Sequence, residues 1–411
     1  MELTPVKIST IRTDLALPFT LWDQGGRLLA RAGSVIDDRR ELQALLQARD
    51  DVFIDVKDSE QHKRFHESRL LTMVMNDERI DKIAQTSSRA TDLVQRAPVA
   101  SPADKDSEPD WVYVQEQAHA ILRNGREEGF LRQVEYLQSR INRYSAANPD
   151  GALLALIQMA SVEVERYSAT HAVLVSVICG IAAREVLQWP TPLQNTLCQA
   201  ALTMNIGMTE LQDQLAQQTE PLTPLQRRNV EQHAERSAEL LEILSLQDRT
   251  WLEGMRHHHS MPPGPLTERT PSGRIARLIQ RADIFAAAIS PRAGRRPVPP
   301  GKAMKAAYFD ESNQVDEAGS ALVKAVGIYP PGSYVRLASG EVAIVVRRGA
   351  NTSAPRVAVV RHRSGMPNAD LTVRETALPE FKVTTSVPYD EVKDKLHLKR
   401  LLPLTRVPAT S

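Results

Sequence analysis

Apolar and polar positions alternate over residues 17–22, stop at Asp23-Gln24-Gly25-Gly26 and resume over 27–31, which predicts two strands joined by a turn. Asp37 and Asp38 can cap a short helix through Leu45 and Leu46, and 52–56 reads as a further strand. Residues 1–62 therefore form a small α+β module. Residues 63–97 are helical but weakly patterned, and 97–110, rich in Pro, Ser and Asp, is a linker. Residues 111–144 return to a helical pattern with a break near Gly125. Phe130, Val134, Leu137 and Ile141 are spaced four, three, four, a stripe suited to a partner helix. Packing on the next domain is the plainer use of that stripe, and self-association through 130–144 is the other.

From 150 to 328 the helical period dominates. Asp150 can cap a first helix, Thr191-Pro192 marks another start, and Thr223-Pro224-Leu225-Gln226 is a capping box. These signals predict helices over 151–165, 168–188, 192–207, 224–245 and 272–289. At Tyr329-Pro330-Pro331-Gly332 the period changes again. A hairpin is expected from 334–337 and 342–346, with a strand over 355–360. Residues 329–386 thus read as a small β extension and 387–411 as a tail. The fold class is multi-domain, with a central all-α domain flanked by a small N-terminal α+β module and a small C-terminal β module.

Composition narrows the function classes. The 411 residues carry 51 basic and 50 acidic side chains, so a generally basic surface for nucleic acid is not supported. Cys179 and Cys198, the two cysteines, lie in apolar helical patterns and suit buried free thiols in a reducing compartment. No stretch reaches about 18 uninterrupted apolar residues, so no membrane span is expected. Residues 1–19 lack the layout of a secretory signal. The expected location is the cytoplasm.

The chemistry lies in the histidines of the helical domain. His233 shares an inward face with Val230, Ser237, Leu240, Leu241 and Leu244, and His171 sits in the apolar run HAVLVSVICGIAA. A core imidazole needs a partner, and metal is one. A single core histidine is more often just hydrogen-bonded, but several of them with Asp283 strengthen the metal reading.

Here the order of residues resembles the HD-GYP family, a branch of the HD metal-dependent phosphohydrolases. Its opening Tyr-x-x-x-His is similar to Tyr167–His171, and its later ligand histidine to His233. Its tandem histidines match His258-His259, because the Gly of the following Asp-Gly step then falls on Gly264; a register one residue earlier stays open. Its Ala-Asp-x-x-x-Ala helix matches Ala282-Asp283, followed by Ser290-Pro291-Arg292, and the Tyr-Pro-Pro-Gly ending resembles the family's C-terminal extension. The resemblance implies an all-helical domain that binds two or three metal ions and hydrolyses cyclic di-GMP. It implies metal-site roles for His171, His233, His258, His259 and Asp283.

The departures fall on the catalytic core. Where the family has Leu-His-Asp-Ile-Gly-Lys, this chain has Thr203-Met204-Asn205-Ile206-Gly207-Met208. Met204 replaces a ligand His, Asn205 the Asp that bridges two metals, and Met208 the Lys that faces phosphate. Pro265-Leu266-Thr267 stands where Gly-Tyr-Pro should follow, and Ser260 replaces a Glu. A neutral amide bridges two cations poorly, and a thioether is a weak donor to hard ions. No catalytic residue is therefore expected, and the amide of Asn205 is expected to find buried hydrogen-bond partners. His233, His258 and His259 could still hold one divalent transition ion such as zinc, or be vestigial and bonded to neighbours. The basic segment with Arg292, Arg295, Arg296 and Lys302 suits phosphate capture or a solvated loop.

Three functions remain. A catalytically degenerate signalling protein that binds cyclic di-GMP, another nucleotide or a protein partner explains both the retained scaffold and the lost pair. An active phosphodiesterase requires more metal ligands than remain. An interaction module of the related HDOD type would also lack ligands, but the retained histidines and the Tyr-Pro-Pro-Gly extension favour HD-GYP.

Overall fold

Capping side chains set the helix starts, beginning with Asp110, which accepts from the Val112 and Tyr113 amides and opens α1 (Trp111–Arg123). The computed structural model describes residues 3–7, 21–22, 28–30 and 51–55, and residues 109–406 apart from 128, 369 and 393–396. They fall into two units, Met1–Ser107 and Glu108–Ser411. In the first, β1 (Leu3–Lys7), β2 (Leu21–Trp22), β3 (Leu28–Ala30) and β4 (Asp51–Asp55) form an antiparallel sheet in the order β1-β4-β2-β3. Three of these strands overlap the runs expected at 17–22, 27–31 and 52–56. The helix expected through Leu45-Leu46, the helical stretch 63–97 and the linker up to 108 lie outside the described residues.

The second unit is a helical domain followed by a small antiparallel sheet. After α1, Gly129 at φ 85° opens α2 (Phe130–Ala147), so the break expected near Gly125 is present. Phe130, Val134, Leu137 and Ile141 are at most 2% exposed and belong to the main helical core. Self-association through this stripe is thereby corrected: intramolecular packing already covers it. The next helix, α3 (Pro149–Ala160), is capped by Asn148 rather than by Asp150, its Oδ1 accepting the Gly151 amide at 2.9 Å. Asp150 instead takes Arg348 Nε at 2.7 Å, because that cation is brought over it by the C-terminal sheet.

The centre is α4 (Tyr167–Ile181), extended by a π-helical turn at Ala182–Val186; every residue of α4 is buried. Among the described residues one helix, Tyr167–Val186, is long and apolar enough to cross a membrane, yet 83% of its apolar window is covered by the rest of the protein, which is consistent with the expectation of no span. Around it run α5 (Thr191–Thr203), a 3-10 turn at Ile206–Met208, α6 (Thr209–Gln217), α7 (Pro224–Glu231), α8 (His233–Ile243), α9 (Arg249–Arg256), α10 (Pro271–Ile289), α11 (Pro300–Tyr308) and α12 (Glu317–Val326). The capping box of Thr223 and Gln226 is formed. The single helix expected over 224–245 is two, divided at Gln232 (φ −98°, ψ 1°), and the one expected over 192–207 stops at Thr203. Cys179 and Cys198 are buried free thiols.

The expected hairpin is β5 (Tyr334–Leu337) with β6 (Val342–Arg347), and the strand near 355–360 is β7 (Arg356–Arg361). With β8 (Val373–Glu375) and β9 (Val383–Val387) they form an antiparallel sheet in the order β8-β7-β6-β5-β9. The stretch read as a tail carries the end of β9 and α13 (Leu398–Thr405), whose Leu401 packs with Leu154, Ile344 and Val360.

Gly332 joins sheet to helix. Its φ is 92°, and its carbonyl accepts from Gln158 Nε2 at 2.7 Å and Tyr389 Oη. A Cβ there would stand 2.9 Å from the Leu154 carbonyl oxygen. Gly332→Ala should cost about 1–3 kcal/mol through backbone strain and this clash. Urea unfolding checks it; an unchanged midpoint would mean that the turn tolerates a side chain.

Candidate metal centre

At the start of α8, just past the bend at Gln232, His233 donates its Nδ1–H to the Val230 carbonyl at 2.6 Å. The same device recurs after α9, where His258 donates Nδ1–H to the Met255 carbonyl at 2.5 Å. A carbonyl can only accept, so Nδ1 carries the proton in both rings and Nε2 keeps the lone pair. The two Nε2 atoms lie 3.3 Å apart. Facing lone pairs at that distance repel unless a positive species is shared between them.

His259 completes the group. The ligand nitrogens of His233, His258 and His259 all lie within 4.8 Å of one another, with ring centroids 4.0 to 5.2 Å apart. Burial, and then the neighbouring His259, lowers His258 to about 3; burial likewise lowers His233. Both rings are neutral near pH 7, the form that ligates a metal. His257 turns away to Glu253 Oε2 at 3.2 Å and to Ser260, so it is His258 and His259 that cluster with His233.

Two supports hold these segments together. Arg256, at the end of α9, reaches Glu235 and Glu242 of α8 at 3.0 and 2.9 Å and Glu253 of its own helix at 2.6 Å. Ser237 Oγ donates to the His233 carbonyl at 2.7 Å and accepts the Gly207 amide at 2.9 Å, tying α8 to the turn after α5. Arg256 has no sequence signal beyond Glu235 and Glu242 sharing one face of α8.

The other two residues expected in this set pair with each other. His171 Nε2 donates to Asp283 Oδ1 at 2.7 Å. Burial alone would raise Asp283, but this bond and the nearby imidazoles of His171, His259 and His258 take it well below the usual carboxylate range. Tyr167 stacks on His171 at 5.7 Å and 10°. Arg292 lies 5.2 Å over the Tyr167 ring and donates Nη2–H to its hydroxyl at 3.0 Å. Of the four basic residues expected to take phosphate, Arg292 is the one joined to this constellation. Arg295 turns back to the Ala287 carbonyl, Arg296 pairs at 3.4 Å with Asp390 while 91% exposed, and Lys302 is exposed on α11.

Met204 is fully buried in the apolar core, and Met208 is half-buried. Asn205 is 8% exposed, at φ −108° and ψ 13° between α5 and the 3-10 turn. Its Oδ1 is buried without a hydrogen-bond partner among the described residues, which corrects the expectation of a satisfied amide. The donor set thus fits one ion on three imidazoles. Among the described residues that group contains no carboxylate, and Asp283 beside it holds His171 through Oδ1.

Residues 155–318 match the family described as HD domain. A cyclic di-GMP phosphodiesterase of Pseudomonas aeruginosa is 28% identical over 215 residues, 51% of this chain and 51% of that protein, so the match spans about half the length of that curated relative. Among solved structures, an HDG"Y"P protein from Bdellovibrio bacteriovorus is 16% identical with a TM-score of 0.40, covering 79% of this chain and 99% of that one.

The neutral imidazoles imply a pH dependence. His258 takes a proton in the unfolded chain below about pH 6.5 but only near 3 when folded. Metal-free protein should therefore lose stability as pH falls from 7 toward 4, by up to roughly 1.4 kcal/mol per unit from this ring. His258→Leu should flatten that slope in chemical denaturation; an unaltered slope would assign it to other groups. Asn205→Asp should destabilise metal-free protein at pH 7 by about 1–3 kcal/mol, since a carboxylate would replace an amide oxygen that already lacks a partner. An unchanged melting temperature would show that the site is wet.

Proposed function

Because the helical domain of this chain belongs to the HD-GYP family of HD domains, we propose that it is a catalytically degenerate member, a signalling module that acts by binding rather than by hydrolysis. The observation that carries this reading is Asn205. Two divalent ions held side by side need negative charge between them, and the residue at the family's bridging position is a neutral amide with a buried, unpartnered Oδ1. Met204 has withdrawn into the apolar core, and Asp283 is engaged by His171. Met208 offers no positive charge to a phosphate.

The ligand that suits this scaffold is a nucleotide such as cyclic di-GMP, with a protein partner as the other class. Its phosphate would meet Arg292, already oriented by Tyr167. The cofactor that suits it is one transition ion on His233, His258 and His259. Imidazole donors without a carboxylate favour zinc over magnesium or manganese. A bound ion would supply Lewis acidity, and that keeps a second reading open: hydrolysis through a reduced site, favoured by the convergence of the three imidazoles. The HDOD-type reading is weaker, because a module without ligands has no use for three histidines whose free nitrogens face one another.

The purified protein should turn over no cyclic di-GMP with added Mn2+ or Fe2+, and elemental analysis should find at most one ion per chain, lost in His258→Ala. Metal-dependent turnover that disappears in His233→Ala would overturn the non-catalytic reading in favour of the second.

A further inference from the structure

Of the three clustered imidazoles, His233 and His258 are each locked by a carbonyl at Nδ1. His259 is exposed, and among the described residues no hydrogen bond holds its ring. Its place must come from its backbone, and the loop that follows is held from one side. Gln280 Nε2 donates to the His259 carbonyl at 3.4 Å, and Arg277 Nη1 to the Met261 carbonyl at 2.8 Å. Arg269 donates to the Pro262 and Gly264 carbonyls, and Arg274 to those of Leu266 and Thr267.

Arg277 is the centre of this arrangement. It is 0% exposed, and its guanidinium is filled by Asp316 Oδ2 at 2.8 Å from Nε, by Gln280 Oε1 at 2.7 Å and by Glu311 at 3.0 Å. Asp316 is itself fixed as the N-cap of α12 through the Gly319 amide at 2.9 Å. A buried guanidinium with this many acceptors cannot shift without leaving one of them unpaired. The Gln280 amide is therefore oriented by Arg277, and its free end meets the carbonyl of the third imidazole residue.

We propose that Gln280, oriented by Arg277, is a positioning residue that sets His259 in the metal centre, although neither side chain belongs to the three-imidazole group. The proposal rests on the three-histidine reading above. Groups that orient a ligand residue from outside typically change metal affinity by about 10–100-fold, and the hold here is a single hydrogen bond to backbone, at the lower end of that range.

The test is zinc affinity of the full chain by competition with a chromophoric chelator, for unaltered protein, Gln280→Met, His259→Ala and the double variant. Gln280→Met should weaken zinc about ten-fold and have no further effect in the His259→Ala background, as expected when one residue acts through the other. Glu311→Gln, a half-exposed change at the far side of Arg277, should weaken zinc in the same direction by less and keep the protein folded if Gln280→Met does not. Full zinc affinity in folded Gln280→Met, or an equal loss in both backgrounds, would overturn the positioning role and leave the metal site standing. No zinc on the unaltered protein would overturn the metal site and this role together.

Discussion

Because every residue of α4 is buried, its polar atoms depend on neighbouring helices for partners, and among the described residues only Ser168 Oγ and His171 Nδ1 of this helix find none. Ser176 donates to the Cys198 carbonyl, the Ser168 amide is taken by Asp213 and His171 by Asp283. Each answer fixes a different neighbour: α5, α6 and α10. The apolar surface of α4 draws these helices in without choosing their rotation, and the few polar contacts choose it. The His171–Asp283 contact sets the azimuth of α10, and with it the direction in which Arg277 and Gln280 point.

That contact also bears on the metal chemistry proposed above. A carboxylate facing paired cations is neutralised by them; without them it must find another donor or stay protonated. Here His171 supplies the donor, and the imidazoles near Asp283 keep it ionised despite burial. On one side an acid is matched to a base within the fold; on the other, the imidazoles of His233, His258 and His259 cluster with the Asp283 carboxylate as their nearby negative charge. The His171–Asp283 pair needs no metal to hold α4 to α10.

How much of this was legible depends on separation along the chain. The capping box at Thr223 and Gln226 could be read directly, since both partners lie within one turn. The bend at Gln232 could not, because His233 continues the apolar period of the preceding residues. The choice of Asn148 over Asp150 as the cap of α3 turns on Arg348, which arrives from the C-terminal sheet. Only resemblance to a family brought His233 together with His258 and His259, since no periodicity relates segments on different helices. The capture of Asp283 by His171, and the empty hydrogen-bonding environment of Asn205 Oδ1, needed the packed arrangement of α4, α5 and α10.

The cap of α3 has a consequence for the order in which the chain can assemble. Asn148 holds the Gly151 amide with its oxygen and donates its Nδ2–H to Thr405 Oγ1 at 2.9 Å. The side chain that caps a helix near the front of the domain is thus also held by a residue of α13, which leaves a ribosome more than two hundred residues later. During synthesis the helical bundle has to wait with Leu154 uncovered until the sheet and α13 arrive. Such long-range closure slows folding and prolongs the life of a partly open form.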